Sequence, residues 1–183
     1  MSQLKVNSIV PVGGLSGNAK GGIIQIVQTL KSDTYSESLG ADTQSSTNCI
    51  QVTITPSSSS NHVLIVGQLY GASSYWNGTG GGAWQGRLNR GGTDIALGDT
   101  NGVRIRETFR SGSSSNAQTG NNCFIYFLDT GISTTSATTY GVRLDNLDNG
   151  SQTLYLNRDK TYSNQSTNGA TVISTLTAME IST

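Results

Sequence analysis

The segment Thr171-Val-Ile-Ser-Thr-Leu-Thr-Ala-Met-Glu-Ile181 sets apolar residues in near-alternation at the end of a chain otherwise rich in small polar residues. A pleated strand sends alternate side chains to opposite faces, so Val172, Ser174, Leu176 and Ala178 share one face, which a helix would scatter. Chain ends fray unless a sheet ties them down. A terminal strand this apolar is therefore expected inside a sheet, closing a fold whose other strands come earlier. The expectation is one finished β-domain.

The rest of the chain reads in the same way. Strands are predicted at Ile23–Leu30, Cys49–Thr55, Val63–Tyr70, Ala83–Asn89, Thr93–Leu97, Arg104–Phe109, Cys123–Leu128, Thr139–Leu144, Gln152–Asn157 and Val172–Ile181, with a short one at Leu4–Ile9. Pro56 and Ser57 to Ser60 mark a hairpin or corner loop. Asn77-Gly78, Asn101-Gly102, Asn149-Gly150 and Asn168-Gly169 tolerate the positive φ of tight turns. Gly13 to Gly22 is a flexible connector by composition. No 3.6-residue apolar period is sustained anywhere. The fold class is all-β, with sandwich, jelly roll and barrel all open.

Composition bears on the core. Ser, Thr, Gly and Asn make up roughly half of the 183 residues, and only 34% are hydrophobic. A lone copy would have a thin core, so association with further copies is expected. Eleven basic residues balance eleven acidic ones, which leaves no whole-chain footprint for nucleic-acid binding. No apolar run reaches the length that spans a bilayer, and Met1-Ser-Gln-Leu-Lys-Val lacks the apolar stretch of a signal peptide. Membrane insertion and export by a leader are not expected. Cys49 and Cys123 are too few for a disulfide framework and sit in apolar runs, as buried free thiols do.

Catalytic constellations are sparse. His62, the one histidine, stands at a loop-to-strand junction without a nucleophile motif. Asp145-Asn-Leu-Asp-Asn-Gly150 faintly resembles the opening of a calcium loop, but Leu156 falls where the closing glutamate belongs. A polar hairpin turn is the plainer reading. Gly78, Gly80 and Ala83 match a GxGxxA spacing, yet Trp84-Gln-Gly-Arg-Leu reads as a strand where a nucleotide site needs a helix. Arg87, Arg90, Arg104, Arg106 and Arg110 form a dense window. A phosphate patch is one reading, but the interleaved Asp94, Asp99 and Glu107 favour ion pairing between strands or subunits. Tyr75, Trp76 and Trp84 flank the glycine-rich loop, as a sugar-stacking platform or as core filling.

Several segments together are similar to small virion structural proteins of tailed bacteriophages, marine and cyanobacterial ones especially. They are Met1-Ser-Gln-Leu-Lys-Val-Asn-Ser-Ile-Val-Pro11, Gly22-Ile-Ile-Gln-Ile-Val-Gln-Thr29, Thr53-Ile-Thr-Pro-Ser-Ser-Ser-Ser60, Arg90-Gly-Gly-Thr-Asp-Ile-Ala-Leu-Gly-Asp99, Phe127-Leu-Asp129 with Thr138-Thr-Tyr140, and Thr177-Ala-Met-Glu-Ile181. The resemblance covers nearly the whole chain. It implies a jelly-roll head like those of trimeric fibre tips and C1q/TNF-like domains, residues 22–183, behind an N-terminal anchoring arm, residues 1–21. Leu4, Val6 and Ile9 are the candidate anchoring residues. The function so implied is non-enzymatic: a tail-fibre-like or capsid decoration (cement) protein, homotrimeric, on the virion surface after assembly in the host cytoplasm. Its partners would be itself and other virion proteins, with no cofactor and no metal. The alternative is a carbohydrate-binding module for host attachment, with Tyr75, Trp76 and Trp84 as candidate contacts to a host-surface glycan.

Overall fold

The structure, a computed structural model, describes residues 22–74, 83–111, 120–160 and 171–183. Twelve strands are present among them, and no helix: β1 Ile23–Lys31, β2 Tyr35–Leu39, β3 Thr43–Gln44, β4 Ile50–Ile54, β5 His62–Ser73, β6 Gln85–Arg90, β7 Thr93–Ile95, β8 Phe109–Arg110, β9 Asn121–Asp129, β10 Thr138–Asn146, β11 Gln152–Leu156 and β12 Ser174–Ile181. They form two antiparallel sheets in a β-sandwich-like body. The first runs β1-β12-β5-β11-β2, with β9 on the free side of β5. The second runs β3-β10-β6-β7, with β4 also on β10 and β8 also on β6.

The twelve-residue β5 organises the first sheet. Its first half pairs with β12, its last residues pair with β11, and β9 follows its other side from Val63 to Gly71. The closing strand β12 lies between β1 and β5, as its apolar pattern predicts. Leu176 and Ala178 point inward and are fully buried.

The core fills the space between the sheets. Val63, Ile65, Leu69, Ile125, Leu154, Leu156 and Leu176 come from the first sheet, and Ile50, Val52, Ile54, Leu88, Tyr140, Val142 and Leu144 from the second. Strand β4 shows why such a sequence settles as a strand. Its burial alternates residue by residue, with Ile50, Val52 and Ile54 inside and Gln51 and Thr53 outside, and β-branched side chains pack well on a pleat.

Several sequence expectations need correction. The stretch predicted as Arg104–Phe109 contributes only β8, and β2 and β3 were not predicted, because their polar residues give no apolar alternation. Asn149-Gly150 does not close a hairpin: β10 lies in the second sheet and β11 in the first, so this segment turns a corner between layers. There the Asn146 amide donates to the carbonyls of Leu39, Gly40 and Gly150, and its Oδ1 accepts the Asp148 N–H at 3.0 Å. The tight hairpin sits instead at Gly91-Gly92 between β6 and β7. Both glycines have positive φ, 56° and 88°, which suits a two-residue turn. The Leu4–Ile9 strand lies outside the described residues.

Candidate functional site

Two of the five arginines of the window, Arg87 and Arg90, fold into ion pairs. On β6, Arg87 faces away from the core and is almost fully buried. Its Nε donates to Asp145 Oδ2 at 2.6 Å, its Nη2 donates to Asp145 Oδ1 and to the Ser45 carbonyl, both at 2.9 Å, and its Nη1 pairs with Asp94. Asp145 also accepts the Ser45 N–H at 2.9 Å. Both oxygens of this carboxylate are thus engaged by protein donors, which is the physical alternative to the calcium-loop reading of Asp145–Gly150. Among the described residues no cluster of three or more His, Cys, Asp or Glu could hold a metal ion.

Glu107 completes this cluster in an unusual state. Its carboxyl oxygens are buried and accept no hydrogen bond. Burial, and then the negative charge and hydrogen bonding of Asp145, push it up to about 9, against the weaker pull of Arg87. Among the described residues Glu107 makes no ion pair with the arginines around it, so the pairing that its spacing suggests is not made.

A second tie crosses between the sheets. Arg90 Nη1 donates to both Asp129 oxygens, at 2.8 and 2.7 Å, and the Tyr140 hydroxyl donates to Asp129 Oδ2 at 2.7 Å. Burial and this bond to a carboxylate raise the Tyr140 phenol far above its ordinary range. Arg90 and Tyr140 come from the second sheet and Asp129 from the first, so the group clamps the layers.

The nucleophile candidates are inert in this setting. Cys49 and Cys123 are free and buried, as predicted, and burial pushes their thiols up to about 12 and about 11. A thiol so far above neutrality carries almost no thiolate. His62 begins β5 opposite Ile181, and its Nδ1 has no hydrogen-bond partner.

Of the three aromatic candidates, Trp84 lies among the described residues. Trp84 is only 1% exposed. Its ring packs over Gly71 of β5 and lies 5.2 Å from the Phe109 ring. Of the two readings left open for this ring, Trp84 takes core filling between the sheets. Tyr75 and Trp76 lie outside the described residues, as do the anchoring candidates Leu4, Val6 and Ile9.

The surface that stands out is one the search for motifs missed. The face of β1-β12-β5-β9 turned away from the core carries three cross-strand rows: Ile26, Met179, Leu64 and Leu128; Gln28, Thr177, Val66 and Tyr126; Leu30, Thr175, Gln68 and Phe124. No Lys, Arg, Asp or Glu stands in these rows. Tyr126 is 76% exposed, Phe124 63% and Ile26 60%. The sequence signal was available in Ile23-Ile-Gln-Ile-Val, Val63-Leu-Ile-Val and Phe124-Ile-Tyr-Phe-Leu. Apolar residues at both parities mean a strand to be covered on both faces, not one. Compared with known proteins, the chain matches no protein-family model and no curated protein.

Proposed function

We propose that this chain is a non-enzymatic structural protein of a tailed-phage particle: a homotrimeric jelly-roll head on the virion surface, joined to the particle through residues 1–21. The observation that carries the reading is the winding of the chain. From β4 onward the main strands cross from one layer to the other at every step except the β6–β7 hairpin, with β1-β12-β5-β9 facing β4-β10-β6-β7. A jelly roll produces this arrangement by folding a long double strand over itself. The short β2, β3, β8 and β11 then extend the margins of an eight-stranded plan.

Two further features support it. The virion-like segments run through both sheets, from β1 to β12, so the resemblance and the fold describe the same unit. The chemistry points away from catalysis: both thiols are buried, and Asp94, Asp129 and Asp145 are engaged by arginines. The position on the particle, tail-fibre tip or capsid decoration, is read by imaging. Antibody labelling of purified particles should place the chain at regular surface positions, and its absence from purified particles would overturn the proposal.

A further inference from the structure

The charge-free face of β1-β12-β5-β9 has a definite size. With strands about 4.8 Å apart and alternate residues about 6.8 Å apart along them, four strands and three rows span roughly 20 by 20 Å, a flat area of roughly 400 Å². Its accessible area is larger, since rings stand up from the pleat. That is within the range of the largest patch on an ordinary monomer, which is often functional, and is about half of what each partner buries in a stable complex.

The chemistry of the face selects its occupant. A nucleic acid, an acidic peptide or a charged headgroup needs opposing charge, and these rows contain none. They offer aliphatic and aromatic side chains punctuated by Gln28, Gln68 and Thr175, amides and a hydroxyl that both donate and accept. A surface of that kind packs against uncharged surface of a neighbouring copy, and around a three-fold axis each copy meets two neighbours. Charge in the folded chain is gathered elsewhere: Arg87, Asp94, Arg143 and Asp145 cluster in the second sheet and its margin. The formal net charge of zero leaves no long-range repulsion between copies. Among the described residues strand β9 pairs with β5 alone, and from Asn121 to Leu128 it bears no charge or proline of the sort that guards free sheet edges.

We infer that this face is the contact between copies of the chain, with Ile26, Leu64, Phe124, Tyr126, Leu128 and Met179 buried against neighbouring subunits. The inference rests on the trimeric reading proposed above and assigns it a surface. It places the opposite sheet, with its ion pairs, outward.

The test uses the full chain. Light scattering should give three times the chain mass of 19.2 kDa for the native protein. Ile26→Lys and Tyr126→Lys should each give the single-chain mass with an unchanged far-ultraviolet β-spectrum, whereas Thr53→Lys, on the exposed face of the other sheet, should remain trimeric. Hydroxyl-radical footprinting of the native protein, which needs no variant, should show Phe124 and Tyr126 protected at least several-fold relative to exposed rings. A native monomer overturns the trimeric reading and this assignment with it. A native trimer in which both lysine variants stay trimeric, or in which Tyr126 is freely oxidised, overturns the assignment alone. Protection of Tyr126 in a monomer that disappears on deleting residues 1–21 means that the chain's own arm covers the face, and also overturns it.

Discussion

Leu176 sits on the inward face of a strand flanked on both sides, and none of its surface meets solvent. Truncating it removes three carbons from a packed interior whose neighbours, held in sheets, relax little. Leu176→Ala should cost about 2–5 kcal/mol in urea unfolding; a loss under about 0.5 kcal/mol, typical of surface sites, would place the residue outside the core. Glu107 makes a prediction of the opposite kind. The folded chain holds its proton up to about 9, while the unfolded chain releases it near 4.5. Between those values the native state binds more protons, so this group lowers stability as pH rises through the window. Glu107→Gln should flatten that fall, and its melting temperature should exceed that of the native chain most clearly at pH 8 to about 9. Identical pH profiles for the two proteins would show that Glu107 is ionised. Glu180 acts in the reverse sense. Burial opposes its charge, but donors from Asn61 and Ser57 prevail and hold it below its ordinary value. Its contribution is present above pH 4.5 and is lost as pH falls through the lowered value.

Strand β5 couples to its neighbours through one glycine. A methyl group at Gly71 would overlap the Trp84 ring directly, so the absent side chain is what lets the indole lie across the strand between layers. Gly71→Ala should destabilise the fold by about 1–3 kcal/mol through overpacking, read as a lowered urea midpoint with an unchanged slope. A neutral substitution would mean that Trp84 has room to move. The end of β11 is tied by a comparable device. Asn157 takes a positive φ of 62°, which asparagine tolerates better than most residues. Its amide donates to the carbonyls of Lys31 and Asp33, and its Oδ1 accepts the Ser174 hydroxyl at 2.6 Å. One buried side chain thereby joins the ends of β1, β11 and β12.

At the level of the whole chain, the body and the arm should separate. The two-sheet core closes from β1 to β12 with its apolar side chains drawn from residues 39–178. Deleting residues 1–21 should leave melting temperature and oligomeric mass unchanged while abolishing incorporation into particles. Loss of the trimer on deletion would make the arm part of the subunit contact. Taken with the lysine variants, these outcomes would assign assembly to one segment and self-association to another.

Strand existence and the interior place of β12 were legible in the chain because both follow from local periodicity: alternation, β-branching and turn residues act within a few positions of each other. The apolar runs of β1, β5 and β9 carry apolar residues at both parities, a signal that motifs alone do not bring out. What periodicity does not contain is partnership. Nothing near Asn149-Gly150 says that the strands on either side belong to different layers, since that depends on which distant strand, β5 or β6, offers the better partner. Nothing near Trp84 distinguishes an exposed ring from one lying over Gly71, thirteen residues earlier. The upward shift of Glu107 arises only where the fold buries it beside Asp145, thirty-eight residues away. Burial and electrostatics depend on spatial neighbours, and those exist only once the sheets have closed.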